Sequence, residues 1–199
     1  FAPVEHGARL RGYLDALVAT SPLIKGVRRM LQGEPHAKIC LAPDFVQGVR
    51  LLAQYGLSFD ICVKHDQLAP VTELARRCPD TQFMLDHAGK PDIKSGVLDP
   101  WREEIAALAA LPNVMCKISG LVTEADHTAW TTDQLAPYVA YALAQFGEDR
   151  VAFGGDWPVA LLASPYPRWV ETLDGLTAHL PEAVRRKLWA ENARRFYQL

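Results

Sequence analysis

The chain has 199 residues, 49% of them hydrophobic, with 21 Lys and Arg set against 23 Asp and Glu for a net charge of −2. That balance offers no electrostatic pull toward nucleic acid or an anionic membrane surface. No run approaches the ~18 consecutive apolar residues of a membrane span, so a soluble globular protein acting on a small molecule is the expectation.

A first helix is expected over Ala8–Ala19, ending near Ser21-Pro22. Five apolar, β-branched runs follow: Ile24–Leu31, Ser58–Lys64, Gln82–Gly89, Val114–Leu121 and Arg150–Pro158. Between them, Pro43–Tyr55, Leu68–Cys78, Pro100–Leu111 and Leu135–Phe146 repeat apolar residues at helical spacing. Asp44, Asp99 and Asp133 stand near three of the helix starts, where a carboxylate can accept orphan backbone N–H groups. Ser164–Trp169 reads as a loop, and a last helix is expected over Pro181–Tyr197. Strands alternating with helices imply parallel pairing, because parallel neighbours need a long crossover. No glycine-rich phosphate loop follows any strand, which favours a barrel over a nucleotide-binding doubly wound sheet. The fold class expected is therefore α/β, a TIM (β/α)8 barrel of which these residues supply about five strands.

Cys40, Cys62, Cys78 and Cys116 form no short metal-ligand spacing. They read as buried reduced thiols, as in a cytoplasmic protein. No GxSxG elbow and no HExxH pair is present.

The strand-like runs begin apolar and end polar, as expected where an active site collects at the C-terminal face of a barrel. In Gln82–Gly89, alternation puts Phe83, Leu85 and His87 on one face and Met84, Asp86 and Ala88 on the other. With His87 inward, Asp86 is expected to face the helical layer. Met115, Lys117 and Ser119 share a face, and a mid-strand lysine requires an anionic partner or an anionic ligand. Ala152, Gly154 and Asp156 share another, with Asp156 at the strand end as a candidate general base or metal ligand. Arg28, whose fork suits a carboxylate or polyol, ends the first run, and Lys64 ends the second. Arg28 and Lys117 are thus candidates to bind an anionic or polyol ligand.

Four segments occur in an order that resembles the amidohydrolase-related family, in its lactonase-like branch. They are Leu85-Asp86-His87-Ala88-Gly89-Lys90-Pro91, Cys116-Lys117-Ile118-Ser119-Gly120-Leu121, Phe153-Gly154-Gly155-Asp156-Trp157-Pro158 and Glu191-Asn192-Ala193-Arg194-Arg195-Phe196-Tyr197. The resemblance implies that the five strands are the fourth to eighth of a single barrel domain, of which residues 1–199 are the C-terminal part. The first three strands, with the HxH pair that ends the family's first strand, would precede Phe1. It implies a hydrolase that opens a sugar-acid or pyrone-dicarboxylate lactone. Asp156 would activate water, His87 would polarise the carbonyl, and Arg28, Lys64, Lys117 and Ser119 would be the candidate substrate-binding residues. Trp157 is expected to pack rather than react. His87 and Asp156 would also be the ligands of one divalent ion, zinc foremost, unless the site works without metal. A metal-dependent decarboxylase of the same superfamily and a catalytically silent barrel are the alternatives. Two open sheet edges imply aggregation, a homo-oligomer, or cover by a further segment.

Overall fold

A computed structural model describes residues 1–199 with the exception of Ala37. A 3-10 segment, Val4–Leu10, leads into helix α1 (Arg11–Thr20). Five βα units follow: β1 (Gly26–Arg28) and α2 (Pro43–Gln54), β2 (Ser58–Ile61) and α3 (Leu68–Arg77), β3 (Phe83–Leu85) and α4 (Trp101–Ala109), β4 (Val114–Ile118) and α5 (Thr132–Phe146), β5 (Val151–Phe153) and α6 (Tyr166–Thr177). The chain closes with α7 (Glu182–Arg186), a π turn (Lys187–Glu191) and α8 (Asn192–Tyr197). All five strands are parallel and lie in sequence order, β1-β2-β3-β4-β5, as successive βα units of a barrel do.

The outer face of the sheet is continuous hydrocarbon. Val27, Phe59, Ile61, Phe83, Leu85, Val114, Cys116, Ile118 and Val151 are all buried beneath the helices. Phe45 of α2 meets Phe59 edge-on at 6.2 Å, and Phe59 meets Phe83 at 6.0 Å, so aromatic contacts cross three elements at the spacing such pairs prefer. The inner face differs. Met84, Met115 and Ala152 form a small separate cluster that Ala193, Phe196 and Tyr197 of α8 cover. The α8 segment is anchored by Asn192, whose buried amide donates to Glu148 O at 2.8 Å and Val151 O at 2.7 Å, just before and at the start of β5.

Several boundaries differ from expectation for physical reasons. Each strand is shorter than its apolar run, because the polar tail leaves the ladder; after β3 that tail, Asp86–Gly89, is a 3-10 segment. Ser164–Trp169 is not wholly a loop, since α6 starts at Tyr166. Pro167 sits in its first turn, where its missing N–H has no helical partner to lose. The last helix is interrupted by the π turn. The aspartates do not cap. Asp44 and Asp133 lie inside first turns, favourable to the helix dipole, while Thr131 caps α5 by accepting from the Gln134 N–H. All four cysteines are buried, and Cys62, Cys78 and Cys116 are free thiols. No helix among the described residues is long and apolar enough to cross a membrane.

Candidate active site

The site begins where β3 stops. After Leu85 the backbone turns left-handed through four consecutive residues: His87, Ala88, Gly89 and Lys90 have φ of 56°, 48°, 71° and 50°. The Lys90 N–H donates to His87 O at 2.9 Å and closes the turn. Three of these residues carry a Cβ, at a cost of about 1–2 kcal/mol each. Surrounding contacts hold the turn in place. Trp101 Nε1 donates to Ala88 O at 2.8 Å, and Ala88 and Gly89 are buried, Gly89 against Leu68. Strand alternation fails here. Asp86 does not face the helical layer as alternation from an inward His87 requires. It remains on the inner face with Met84, and the left-handed turn brings His87 round to the mouth.

Asp86 is completely buried and takes two cations. Lys117 Nζ donates to its Oδ1 at 2.7 Å, and the Arg28 guanidinium lies 2.6 Å from Oδ2, paired in charge but off the hydrogen-bond angle. Asp60 joins the same group, 3.4 Å from Lys117 and 3.9 Å from Arg28, and accepts from the Tyr197 hydroxyl at 3.1 and 3.2 Å. Two cations and two carboxylates thus tie β1, β2, β3 and β4 together across the inner face. Burial raises the pKa of the Asp60 carboxyl against the pull of Lys117. Burial disfavours the Lys117 ammonium, but Asp86 and Asp60 outweigh it and its pKa rises.

Above this layer, His87 Nδ1 is 2.8 Å from Ser119 Oγ, and His87 Nε2 faces Asp156 Oδ1 at 3.6 Å. Asp156 follows β5 with φ of 51°. Its Oδ2 is buried with no hydrogen-bond partner among the described residues. Burial drives the His87 pKa down to about 4, so the imidazole is neutral at neutral pH. Burial raises the Asp156 pKa, opposed chiefly by the charge of Lys90. Gly120 stands between the two. A methyl there would fall 2.6 Å from His87 Nδ1 and 2.9 Å from Asp156 Oδ2, and its φ of 62° also favours glycine.

Of the residues singled out in the sequence, His87, Asp156, Ser119, Lys117 and Arg28 therefore converge at the C-terminal ends of the strands. Lys64 does not join them. Its side chain is exposed ahead of the 3-10 turn His65–Gln67, its backbone N–H donates to Gln67 Oε1, and it forms no ion pair among the described residues. Trp157, expected to pack, is 69% exposed. Asp86, Asp60 and Tyr197 were missed. Asp60 had a legible signal: a mid-strand carboxylate needs a cation as surely as mid-strand Lys117 needs an anion.

Two donor sets bear on a metal ion. Cys62, Asp86 and His87 offer ligand atoms within 4.8 Å of one another. This trio does not fit a dication, because Asp86 is already compensated by Lys117 and Arg28, and burial raises the Cys62 pKa and keeps the thiol protonated. His87 Nε2 with Asp156 does fit two positions of a coordination shell, given the unpartnered buried Asp156 Oδ2. A zinc site takes three or four protein ligands, so these two would be part of one.

The model of the family described as amidohydrolase matches residues 11–199. The chain belongs to this family. An L-fucono-1,5-lactonase of Burkholderia multivorans is 37% identical to the chain over 196 residues, which cover 88% of this amidohydrolase chain and 63% of the relative. A crystal structure of an amidohydrolase from Burkholderia multivorans with bound HEPES superposes with a TM-score of 0.91 at 33% identity, covering 98% of this chain and 71% of that one. Another from the same organism, with bound zinc, gives a TM-score of 0.85 at 31% identity, covering 97% of this chain and 80% of that one. The chain spans between 54% and 64% of the length of three curated relatives that it matches.

Proposed function

We propose that this amidohydrolase opens a small lactone by attack of water on the ring carbonyl. The reading rests on one observation. His87 Nε2 and Asp156 Oδ1 face each other at 3.6 Å, too far apart to satisfy one another, with the second Asp156 oxygen buried and unpaired. A water held between them would have a carboxylate to take its proton and an imidazole edge beside the carbonyl it attacks.

In this mechanism Asp156 accepts a proton as the water oxygen bonds to the carbonyl carbon, and the C=O electron pair moves onto oxygen. The tetrahedral species then collapses and the ring C–O bond breaks. The proton on Asp156 passes to the departing ring oxygen, leaving a hydroxy acid. Ser119, donating its hydroxyl to His87 Nδ1, would fix the tautomer that carries hydrogen on Nε2 and lets it donate to the carbonyl. A divalent ion held by His87 Nε2 and Asp156 would instead supply Lewis-acid polarisation in place of the Nε2–H, with Nδ1 then carrying the hydrogen and donating to Ser119 Oγ.

A sugar-acid lactone suits the charge pattern of the site better than a pyrone dicarboxylate. Arg28 and Lys117, the cations on the inner face, are spent on Asp86 and Asp60, so they form the floor of the site rather than a carboxylate clamp. The named activity of the 37% identical relative points the same way. A panel of sugar-acid and pyrone lactones assayed with Asp156→Asn as control tests the reading. Ring opening should fall at least about 100-fold in the variant, the low end for losing a general base. An Asp156→Asn protein that opens lactones at the parent rate would overturn it.

A further inference from the structure

Lys90 ends the left-handed stretch within the Asp86–Pro91 segment. The left-handed turn aims it. In a 3-10 turn, residues i and i+3 stack one above the other, and the Lys90 N–H to His87 O bond makes His87 and Lys90 such a pair. The turn that swings the imidazole toward Asp156 therefore carries the lysine to the same side. The Lys90 side chain is only 11% exposed, yet its ammonium makes no hydrogen bond among the described residues, and its ion-pair partner, Glu124 Oε1, stands at 3.4 Å. Lys117, by contrast, is bonded to Asp86 at 2.7 Å. Lys90 is thus a nearly buried cation at this mouth whose ammonium has an ion-pair partner but no hydrogen-bond acceptor among the described residues.

We propose that Lys90 binds the negative charge that lactone opening creates, first on the oxygen of the tetrahedral species and then on the carboxylate of the released hydroxy acid. The inference rests on the hydrolase reading and adds a residue to it. No proton leaves the ammonium. It contributes a fixed positive charge beside a centre that becomes anionic as the water oxygen adds, and in a site with little water that charge is weakly screened. Glu124 holds the ammonium loosely in the resting site, and the anion formed during the reaction competes for it.

The test uses L-fucono-1,5-lactone for turnover and its ring-opened acid for binding, the latter by titration calorimetry. Lys90→Met should lower kcat about 100-fold, the usual loss for one oxyanion donor, with KM within threefold. It should also weaken binding of the acid at least tenfold. Lys90→Arg should restore part of both. Glu124→Gln, which frees the ammonium, should tighten binding of the acid, and this variant decides the matter should Lys90→Met not fold. A Lys90→Met protein that keeps kcat within threefold and binds the acid as the parent does would overturn the proposal, as would a Glu124→Gln protein that binds the acid no better. The two readings fail separately. A parent protein that opens no lactone removes the hydrolase assignment, whereas one that opens lactone with or without Lys90 removes only this one.

Discussion

The two faces of one five-stranded sheet show a division of labour. On the outer face, Phe59, Phe83, Val114 and Val151 bury hydrocarbon against the helices, and nearly every contact could be exchanged for another apolar contact of similar volume. On the inner face, Arg28, Asp60, Asp86 and Lys117 are mutually dependent, because each buried charge is tolerable only while its partners remain. The outer face sets how stable the fold is, and the inner face sets where the mouth groups stand. Side chains one residue apart in a strand thus answer to different physics.

The comparison is broken most sharply at Asp86. Asp86→Ala leaves Lys117 and the partly exposed Arg28 with only Asp60 as a shared counter-charge and should cost about 3–5 kcal/mol, read as a drop in the denaturation midpoint, together with most of the activity. Phe59→Ala should cost a similar ~3–5 kcal/mol by opening a cavity, but below its melting temperature the folded fraction should turn over like the parent. Equal losses of kcat in the two variants would erase the distinction between the faces. Tyr197→Phe removes one hydroxyl from Asp60 and should cost about 0.5–1.5 kcal/mol, with a small change in turnover, measured by the same melts and assay. Smallest of all, Glu73→Gln breaks solvent-exposed pairs with Arg76 and Arg77. It should leave the denaturation midpoint close to the parent's, giving the background against which the others are judged.

The strand and helix rhythm was legible in the sequence because burial on one face imposes periodicity on both element types, and the five parallel strands fall within the five apolar runs. The convergence of His87 and Asp156 was legible from their places at strand ends. What escaped was the turn between Asp86 and Lys90. Alternation assumes an extended backbone, and four successive left-handed residues reverse it. Ala88 and Lys90 carry no local mark of that conformation, which is held by Trp101 and Leu68 from elsewhere in the chain. Tyr197 escaped for a related reason, since 137 residues separate it from Asp60. The start of α6 was hidden by Pro165 and Pro167, which suit a loop and a helix entrance equally well.

Asn192 sits in a helix that supplies none of the reacting groups, yet its amide is clipped to Glu148 in the loop before β5 and to Val151 at the start of β5, the strand that Asp156 follows. Drift in the length of that loop would pull on the clip before it reached the carboxylate, so the asparagine works as a length gauge for the final strand. Sequences that vary the rest of this helix but retain the amide would keep the carboxylate at the same height above the sheet.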